Sequence, residues 1–328
     1  MQYRTLGRTG VRVSEIGFGA WAIGGGWGAQ ADEESGAALN AALDRGVNFI
    51  DTAQGYGNGR SERLIGPVLK QRPESIFVAT KTPPAPGPWP PSPYCRSAER
   101  YPDEYLVANI EERRRMLDVE CLDLLQLHTW TRAWNKDPRP LDTLKRLQGQ
   151  GRLKYIGLST PEQDQNSVID LMRRGYLDTV QVIYNIFEQE PAAELLPAAL
   201  EHGVGIIVRV AFDEGALTGK FQRGQRFAAD DFRSQYFAGD RLDRVIEHVA
   251  RIQADIQQVA PDAQFTLPEV ALQFALAHPA VSTVIPGIRN VSQAELNTAV
   301  SDRPPLPESL LIMLRSHAWL RGVWYSGK

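Results

Sequence analysis

Three ionisable residues close apolar runs of strand length. Asp51 follows Val47-Asn48-Phe49-Ile50, Lys81 follows Ile76-Phe77-Val78-Ala79-Thr80, and His128 follows Leu122 to Leu127. Each alone reads as a structural cap, but an acid, an amine and an imidazole at successive run ends share one crevice if the runs lie side by side. A carboxylate beside a lysine holds the amine in its charged form, and an ammonium pulls a neighbouring phenol below its ordinary pKa of about 10. Tyr56 offers that phenol, in the stretch Gly55-Tyr56-Gly57, where the flanking glycines allow a tight backbone path. The chemistry open to such a set is the passing of a proton to or from a substrate oxygen.

The elements that must position these residues recur along the chain. Strand-length runs fall at 15–19, 47–51, 76–81, 122–128, 155–159, 179–185, 205–209 and 282–285. Most are continuous apolar runs, as parallel strands covered on both faces require. Helical patterns separate them. One opens with Asp32-Glu33-Glu34, acids that suit the positive end of a helix, and stops at Gly46. Another starts at Pro102-Asp103, and others fit 140–150, 166–174, 191–202, 242–259, 267–277 and 292–300. Eight alternating units with no linker-like break predict one α/β domain over 1–328, a closed (β/α)8 TIM barrel rather than an open doubly wound sheet. Residues 1–14 read as an N-terminal β-hairpin capping the barrel, with strands at 3–6 and 11–14. Two long loops, 82–101 with its seven prolines and 222–240 with Phe227, Phe232, Tyr236 and Phe237, are expected at the substrate and cofactor rim. The tail 306–328, carrying Trp319, Trp324 and Tyr325, is expected to pack across the mouth.

Composition narrows the function. Of the 328 residues 43% are hydrophobic and 23% charged, and Lys+Arg against Asp+Glu is 36 against 39, a net charge of −3. A nucleic-acid binder would carry a basic surplus. Cys95 and Cys121, the two cysteines, cannot build a disulfide framework or a four-ligand zinc site, and no His/Cys/Asp/Glu cluster has metal-ligand spacing. The N-terminus lacks the apolar core of a signal peptide and no stretch approaches the roughly 20 apolar residues of a membrane span, which predicts a cytoplasmic protein with neither membrane nor nucleic-acid partner.

The stretch Asp51-Thr52-Ala53-Gln54-Gly55-Tyr56-Gly57-Asn58-Gly59-Arg60-Ser61-Glu62 resembles the catalytic segment of the aldo-keto reductase family. Colinear resemblances follow at Gly17 to Trp21, Ala79 to Lys81, Leu125 to His128, Ile156 to Ser159, Gln181 to Asn185, Leu217 to Phe221 and Ile285 to Asn290. The resemblance implies a (β/α)8 barrel, an NADP(H)-dependent oxidoreductase, and Asp51, Tyr56, Lys81 and His128 as its catalytic tetrad. Tyr56 would protonate a carbonyl as hydride arrives, its pKa lowered by Lys81, while His128 orients the carbonyl. It also implies cofactor contacts at Gly19, Trp21, Asp51, Thr160, Arg209 and Phe212, with Ser159 and Gln181 on the nicotinamide carboxamide, Leu217, Gly219 and Lys220 beside the pyrophosphate, and Gly287, Arg289, Gln293 and Asn297 around the adenosine. Arg289, whose guanidinium fork suits a 2′-phosphate, favours NADP over NAD. Trp21, Tyr56, Trp89, His128 and Trp130, with Trp27, Tyr94 and Trp134 nearby, are the expected substrate walls for an aldehyde, a ketone or the apolar face of a sugar.

This chain departs from the family pattern at three places. Thr160-Pro161 replaces an Asn after Ser159, Trp130-Thr131-Arg132 follows His128, and Arg209 takes the place of the tyrosine that stacks on the nicotinamide. Arg209 is expected to stack on the ring itself, to pair with Asp213 or Glu214, or to meet an anionic substrate. Two rival functions differ in class: a cofactor-sensing regulatory subunit that binds NADPH without turnover, and a lyase or isomerase using Lys81 as a Schiff base. A homo-oligomer is compatible with all of them.

Overall fold

The computed structural model describes residues 1–261 and 265–319. The hairpin is β1 (Tyr3–Thr5) and β2 (Arg12–Ser14), antiparallel, joined through a 3-10 turn at Gly7–Thr9. Eight parallel strands follow in sequential order: β3 (Phe18–Gly19), β4 (Phe49–Asp51), β5 (Phe77–Thr82), β6 (Leu122–Leu127), β7 (Leu153–Ser159), β8 (Thr179–Ile183), β9 (Gly205–Arg209) and β10 (Val281–Val284). Parallel bridges Ile16–Val284 and Gly19–Gly287 close the last strand onto the first, and the Gly19 N–H donates to the Pro286 carbonyl at 3.0 Å. Gly19 is obligatory at this seam, because a Cβ there would lie 2.6 Å from the Ile285 carbonyl oxygen. The architecture is the (β/α)8 barrel expected.

Among the described residues the helices are α1 (Asp32–Asp44), α2 (Arg60–Gln71), α3 (Ser97–Arg100), α4 (Asp103–Leu117), α5 (Arg139–Gly149), α6 (Ile169–Arg173), α7 (Leu195–His202), α8 (Arg233–Tyr236), α9 (Arg241–Val259), α10 (Leu267–Leu276), α11 (Val291–Ala299) and α12 (Glu308–Arg315). None is long and apolar enough to cross a membrane. Helix α2, not expected from sequence, contains Gly66-Pro67, and the bare Gly66 lets its backbone approach the Leu117 and Met116 carbonyls at the end of α4. Glu62 of α2 lies fully buried against Arg113 of α4, 3.1 Å away, and accepts from Thr80 Oγ1 at 2.6 Å.

Two layers fill the barrel. The lower layer is apolar: Leu6 and Val13 of the hairpin plug the bottom against Phe49, Phe77, Ala79, Leu124 and Ile207. Inward-facing residues recur every second position, so the next layer up is Asp51, Lys81, Gln126, Gln181 and Arg209. The hydrophobic majority packs outside, between strands and helices.

The described part of the tail does not cross the mouth. His317 Nε2 lies 3.0 Å from Asp255 of α9, and Trp319 stacks on His248 at 3.9 Å and meets Phe187 edge-on, because these rings offer it an apolar seat on the flank. Trp324 and Tyr325 lie outside the described residues.

Candidate active site

Parallel register lines up the polar layer: Gly19 pairs with Asp51, Lys81 with Gln126, and Ser159 with Gln181. Lys81 is fully buried and its Nζ donates to Asp51 Oδ1 at 2.5 Å, to the Thr52 carbonyl at 2.9 Å and to Tyr56 Oη at 3.0 Å. The second carboxylate oxygen of Asp51 accepts from Gln181 Nε2 at 2.7 Å and Gln126 Nε2 at 3.2 Å. Gln126 finds room because Gly157 beside it has no side chain; a Cβ there would lie 2.4 Å from Thr179 Oγ1 and 2.9 Å from Gln126 Cγ. His128, just beyond β6, meets the Tyr56 ring edge-on at 6.0 Å, and Trp89 meets the imidazole edge-on at 5.9 Å. The four residues singled out by type and position are therefore brought together.

Their ionisation follows from burial and charge. Burial disfavours the Lys81 ammonium, but the Asp51 carboxylate and the Tyr56 hydroxyl outweigh it and hold the lysine above its ordinary value. Burial also raises Tyr56 above the usual phenol value, and the Lys81 ammonium opposes this without overcoming it. The expected acidic phenol is thus corrected: on the floor of the cavity the desolvation of a phenolate is the larger effect. Burial, with Lys81 and Arg209 nearby, drives His128 well below the usual imidazole range, so the ring is neutral.

Above this floor opens a cavity of about 1310 Å³, running from Tyr56, His128 and Trp89 past Ser159, Gln181 and Arg209 to Arg289, Gln293 and Asn297. Gly19, Trp21, Thr160, Phe212, Lys220 and Gly287 also line it. Arg289 is fixed at the far rim, its Nε donating to Gln30 Oε1 and its Nη2 to the Ala29 carbonyl, both at 2.9 Å. Gln293 Oε1 accepts from the Arg289 N–H at 2.8 Å. Buried Oε1 atoms of Gln126 and Gln181 have no hydrogen-bond partner, acceptors left open at the floor.

Several expected residues lie elsewhere. Leu217 is fully buried in the core and Gly219 is exposed with φ 69°, both off the cavity wall, because the Gly215–Gly219 turn directs Thr218 and Lys220 inward instead. Trp130 is sealed in the core, its indole N–H donating to Asn135 Oδ1 at 2.8 Å and its ring packed on Trp134 at 5.2 Å. Tyr94 points to solvent, 97% exposed. Thr160 does line the cavity, with its hydroxyl donating to Gln165 Oε1 at 3.1 Å. Arg209 pairs with neither Asp213 nor Glu214 by hydrogen bond; it donates to Glu162 Oε1 and to the Thr160 carbonyl, both at 3.2 Å.

Sequence reasoning expected loop 222–240 and its aromatic residues at the rim but missed the part that Arg233 takes in this lid. Phe232 meets Trp21 edge-on at 5.3 Å, and the Arg233 guanidinium, ion-paired to Asp231, lies 4.7 Å from the Trp27 ring centre and 4.8 Å from that of Phe227. It also missed Gln126, whose one signal is a polar residue at an inward position of an apolar strand.

A sequence model of the Aldo/keto reductase family matches residues 15–318. The aldo-keto reductase YhdN of Bacillus subtilis (strain 168) is 32% identical over 238 residues, 71% of this chain and 69% of that protein. Among solved structures, the holo form of an aldo-keto reductase from Bacillus halodurans superposes with a TM-score of 0.76 at 24% identity, covering 97% of this chain and 96% of that one, a likeness of fold. The glycerol dehydrogenase from Gluconobacter oxydans also superposes with a TM-score of 0.76, at 25% identity over 96% and 94% of the two chains. With the family pattern running from the first barrel strand to the tail, the chain belongs to the aldo/keto reductase family of oxidoreductases.

Proposed function

We propose that the protein interconverts a carbonyl and an alcohol with NADP(H), using Tyr56 as general acid in reduction and general base in oxidation. The observation that carries this reading is the Lys81 ammonium held between the Asp51 carboxylate and the Tyr56 hydroxyl, at 2.5 and 3.0 Å, on the floor of a large cavity. The residues fit a dinucleotide. Ser159 and Gln181, the latter with an open buried acceptor, suit a carboxamide; Lys220 and Arg233 suit phosphates; Arg289, Gln293 and Asn297 suit the adenosine end. Arg289 keeps Nη1 for a 2′-phosphate once Nε and Nη2 are engaged, which supports NADP over NAD.

A bound nicotinamide supplies the hydride in reduction and takes it in oxidation. Tyr56 gives its proton to the carbonyl oxygen, and the adjacent ammonium stabilises the phenolate that forms. Asp51 keeps Lys81 charged for that task. His128, neutral, donates a hydrogen bond to the same oxygen without competing as an acid. Trp21, Trp89 and the Tyr56 ring form aromatic walls that suit an aldehyde, a ketone or a sugar's apolar face. The buried, ion-paired state of Lys81 leaves no neutral amine for Schiff-base chemistry.

The test is a panel of aldehydes, ketones and sugars followed by loss of NADPH absorbance, repeated with NADH. Turnover with at least one carbonyl and preference for NADPH are expected. Tight NADPH binding with no turnover across the panel would instead favour a sensing subunit, and preference for NADH would overturn the role of Arg289.

A further inference from the structure

The cavity holds a carboxyl group that the proton-passing reading leaves unused. Glu214, on the loop after β9, is 6% exposed, lines the cavity, and makes no hydrogen bond or ion pair among the described residues. Its loop bends against backbone preference: Val210, Asp213 and Glu214 all have left-handed φ values, of 57°, 48° and 55°. Non-glycine residues rarely adopt this region, a β-branched valine least of all. Such strain persists where the surroundings over-determine it and gathers at ligand clamps. Here Asn185 Nδ2 donates to the Val210 carbonyl at 2.8 Å and Tyr236 Oη to Asp213 Oδ1 at 3.0 Å, fixing the turn that presents Glu214.

Every packed element contributes a charged or titratable group around it. Glu162 comes from the loop after β7, Arg209 from the end of β9, Lys220 from Glu214's own loop, and Arg233 and Tyr236 from α8. Glu214, Thr218 and Lys220 follow β9, the neighbour of β10, and line the same cavity as Tyr56, His128, Arg289 and Asn297, so a dinucleotide extended between those residues would carry its phosphates past this loop.

Resting on the NADP(H) reading, we infer that Glu214 is a cofactor-binding residue that receives the dinucleotide's phosphates only as the neutral acid, its O–H donating to a phosphate oxygen. Burial and the Glu162 carboxylate, against the opposing pull of Arg209 and Arg233, hold the Glu214 carboxyl up to about 8. Below that value the side chain is neutral and binding is at full strength. Above it a carboxylate faces an anionic ligand, and affinity falls with rising pH. Tyr236 does not mimic this, being held well above the usual phenol range.

The experiment is a fluorescence titration of the full chain with NADPH and with NADH from about pH 6 to about pH 10, in wild type and Glu214→Gln; one proton linked to binding weakens affinity about tenfold per pH unit above the carboxyl's value. Wild type should show that slope with both dinucleotides, whereas Glu214→Gln should bind as tightly as wild type at the acid end and stay level to the alkaline end. NADH, lacking the 2′-phosphate, removes that group's own titration from the comparison. Calorimetry of wild type in buffers of different ionisation heat supplies a second readout that needs no variant, and should find close to one proton taken up per NADPH on the alkaline side. A level wild-type profile, a Glu214→Gln profile parallel to wild type, or weaker binding by Glu214→Gln at the acid end would each overturn the inference. Failure of both dinucleotides to bind at any pH would overturn the NADP(H) reading itself.

Discussion

Tyr56 has to lose its proton readily to a carbonyl while keeping it in water, and its surroundings divide that work. Burial holds the proton on the free phenol, and the ammonium 3.0 Å away lowers the cost of releasing it when charge develops on the tyrosine. Replacing Tyr56 by Phe is expected to cut turnover by roughly 10²–10⁴-fold and leave NADPH affinity unchanged, as read by steady-state rates beside a binding titration; near-normal turnover would remove Tyr56 from the mechanism. The pH dependence of the chemical step has a worked sign. Reduction needs Tyr56 protonated, its value lies above the usual phenol one of about 10, and His128 is already neutral, so the rate at saturating cofactor should stay level through neutrality and fall only on the alkaline side. A half-maximal rate near neutral pH would contradict these assignments. The four residues were legible in the sequence because each follows directly on an apolar run or sits between glycines. The direction of the Tyr56 shift was not, since it depends on how the fold balances burial of the ring against the nearby ammonium.

Among the elements, the lid segment around α8 is anchored by buried Tyr236 and meets the cavity's aromatic wall through Phe232 and Arg233. Arg233 lies over two rings, and cation–π contacts at partly exposed sites contribute about 0.5–1 kcal/mol each. Arg233→Ala should therefore weaken closure by about 1–2 kcal/mol, quicken NADPH release about tenfold and leave the hydride step intact. Stopped-flow release rates beside single-turnover rates test this, and an unchanged release rate would mean the lid does not gate the cofactor. Helix α2 depends on a different kind of contact. Its Glu62 and the Arg113 of α4 are both sealed from water, and burial raises the Glu62 carboxyl to about 7 despite the guanidinium. Removing one member of a buried pair strands the other, so at alkaline pH, where Glu62 is charged, Arg113→Ala should destabilise the fold by roughly 3–5 kcal/mol in urea denaturation, and a loss under about 1 kcal/mol would show that the stranded carboxyl takes up a proton instead. This helix was hidden in the sequence by its Gly66-Pro67 pair, which locally reads as a stop. In place it serves close packing on α4, with Pro67 inside the helix. The strands were easier to find, although 15–19 shortened at its start to Phe18–Gly19, with Ile16 keeping an isolated bridge to Val284, and 179–185 shortened to Thr179–Ile183 where the chain leaves the sheet for the rim.

For the molecule as a whole, the vulnerable line is the seam where β10 meets β3. The Gly19 backbone lies so close to Ile285 and Pro286 that a methyl group there must push the strands apart, and Gly19→Ala should destabilise the barrel by about 1–3 kcal/mol while loosening cofactor binding next to it. Chemical denaturation with a parallel cofactor titration checks both, and wild-type stability would show that the seam can shift. Barrel class was legible from eight alternating units. What the sequence could not show were partnerships between distant segments, such as Arg209 with Glu162 or Arg289 with Gln30, which exist only once the loops meet over the mouth. The same meeting of loops has an optical consequence. Trp21, Trp27 and Trp89 border the cavity, so a bound reduced dinucleotide, absorbing where indoles emit, would quench their emission by energy transfer. The native chain thus carries its own unlabelled spectroscopic gauge of occupancy.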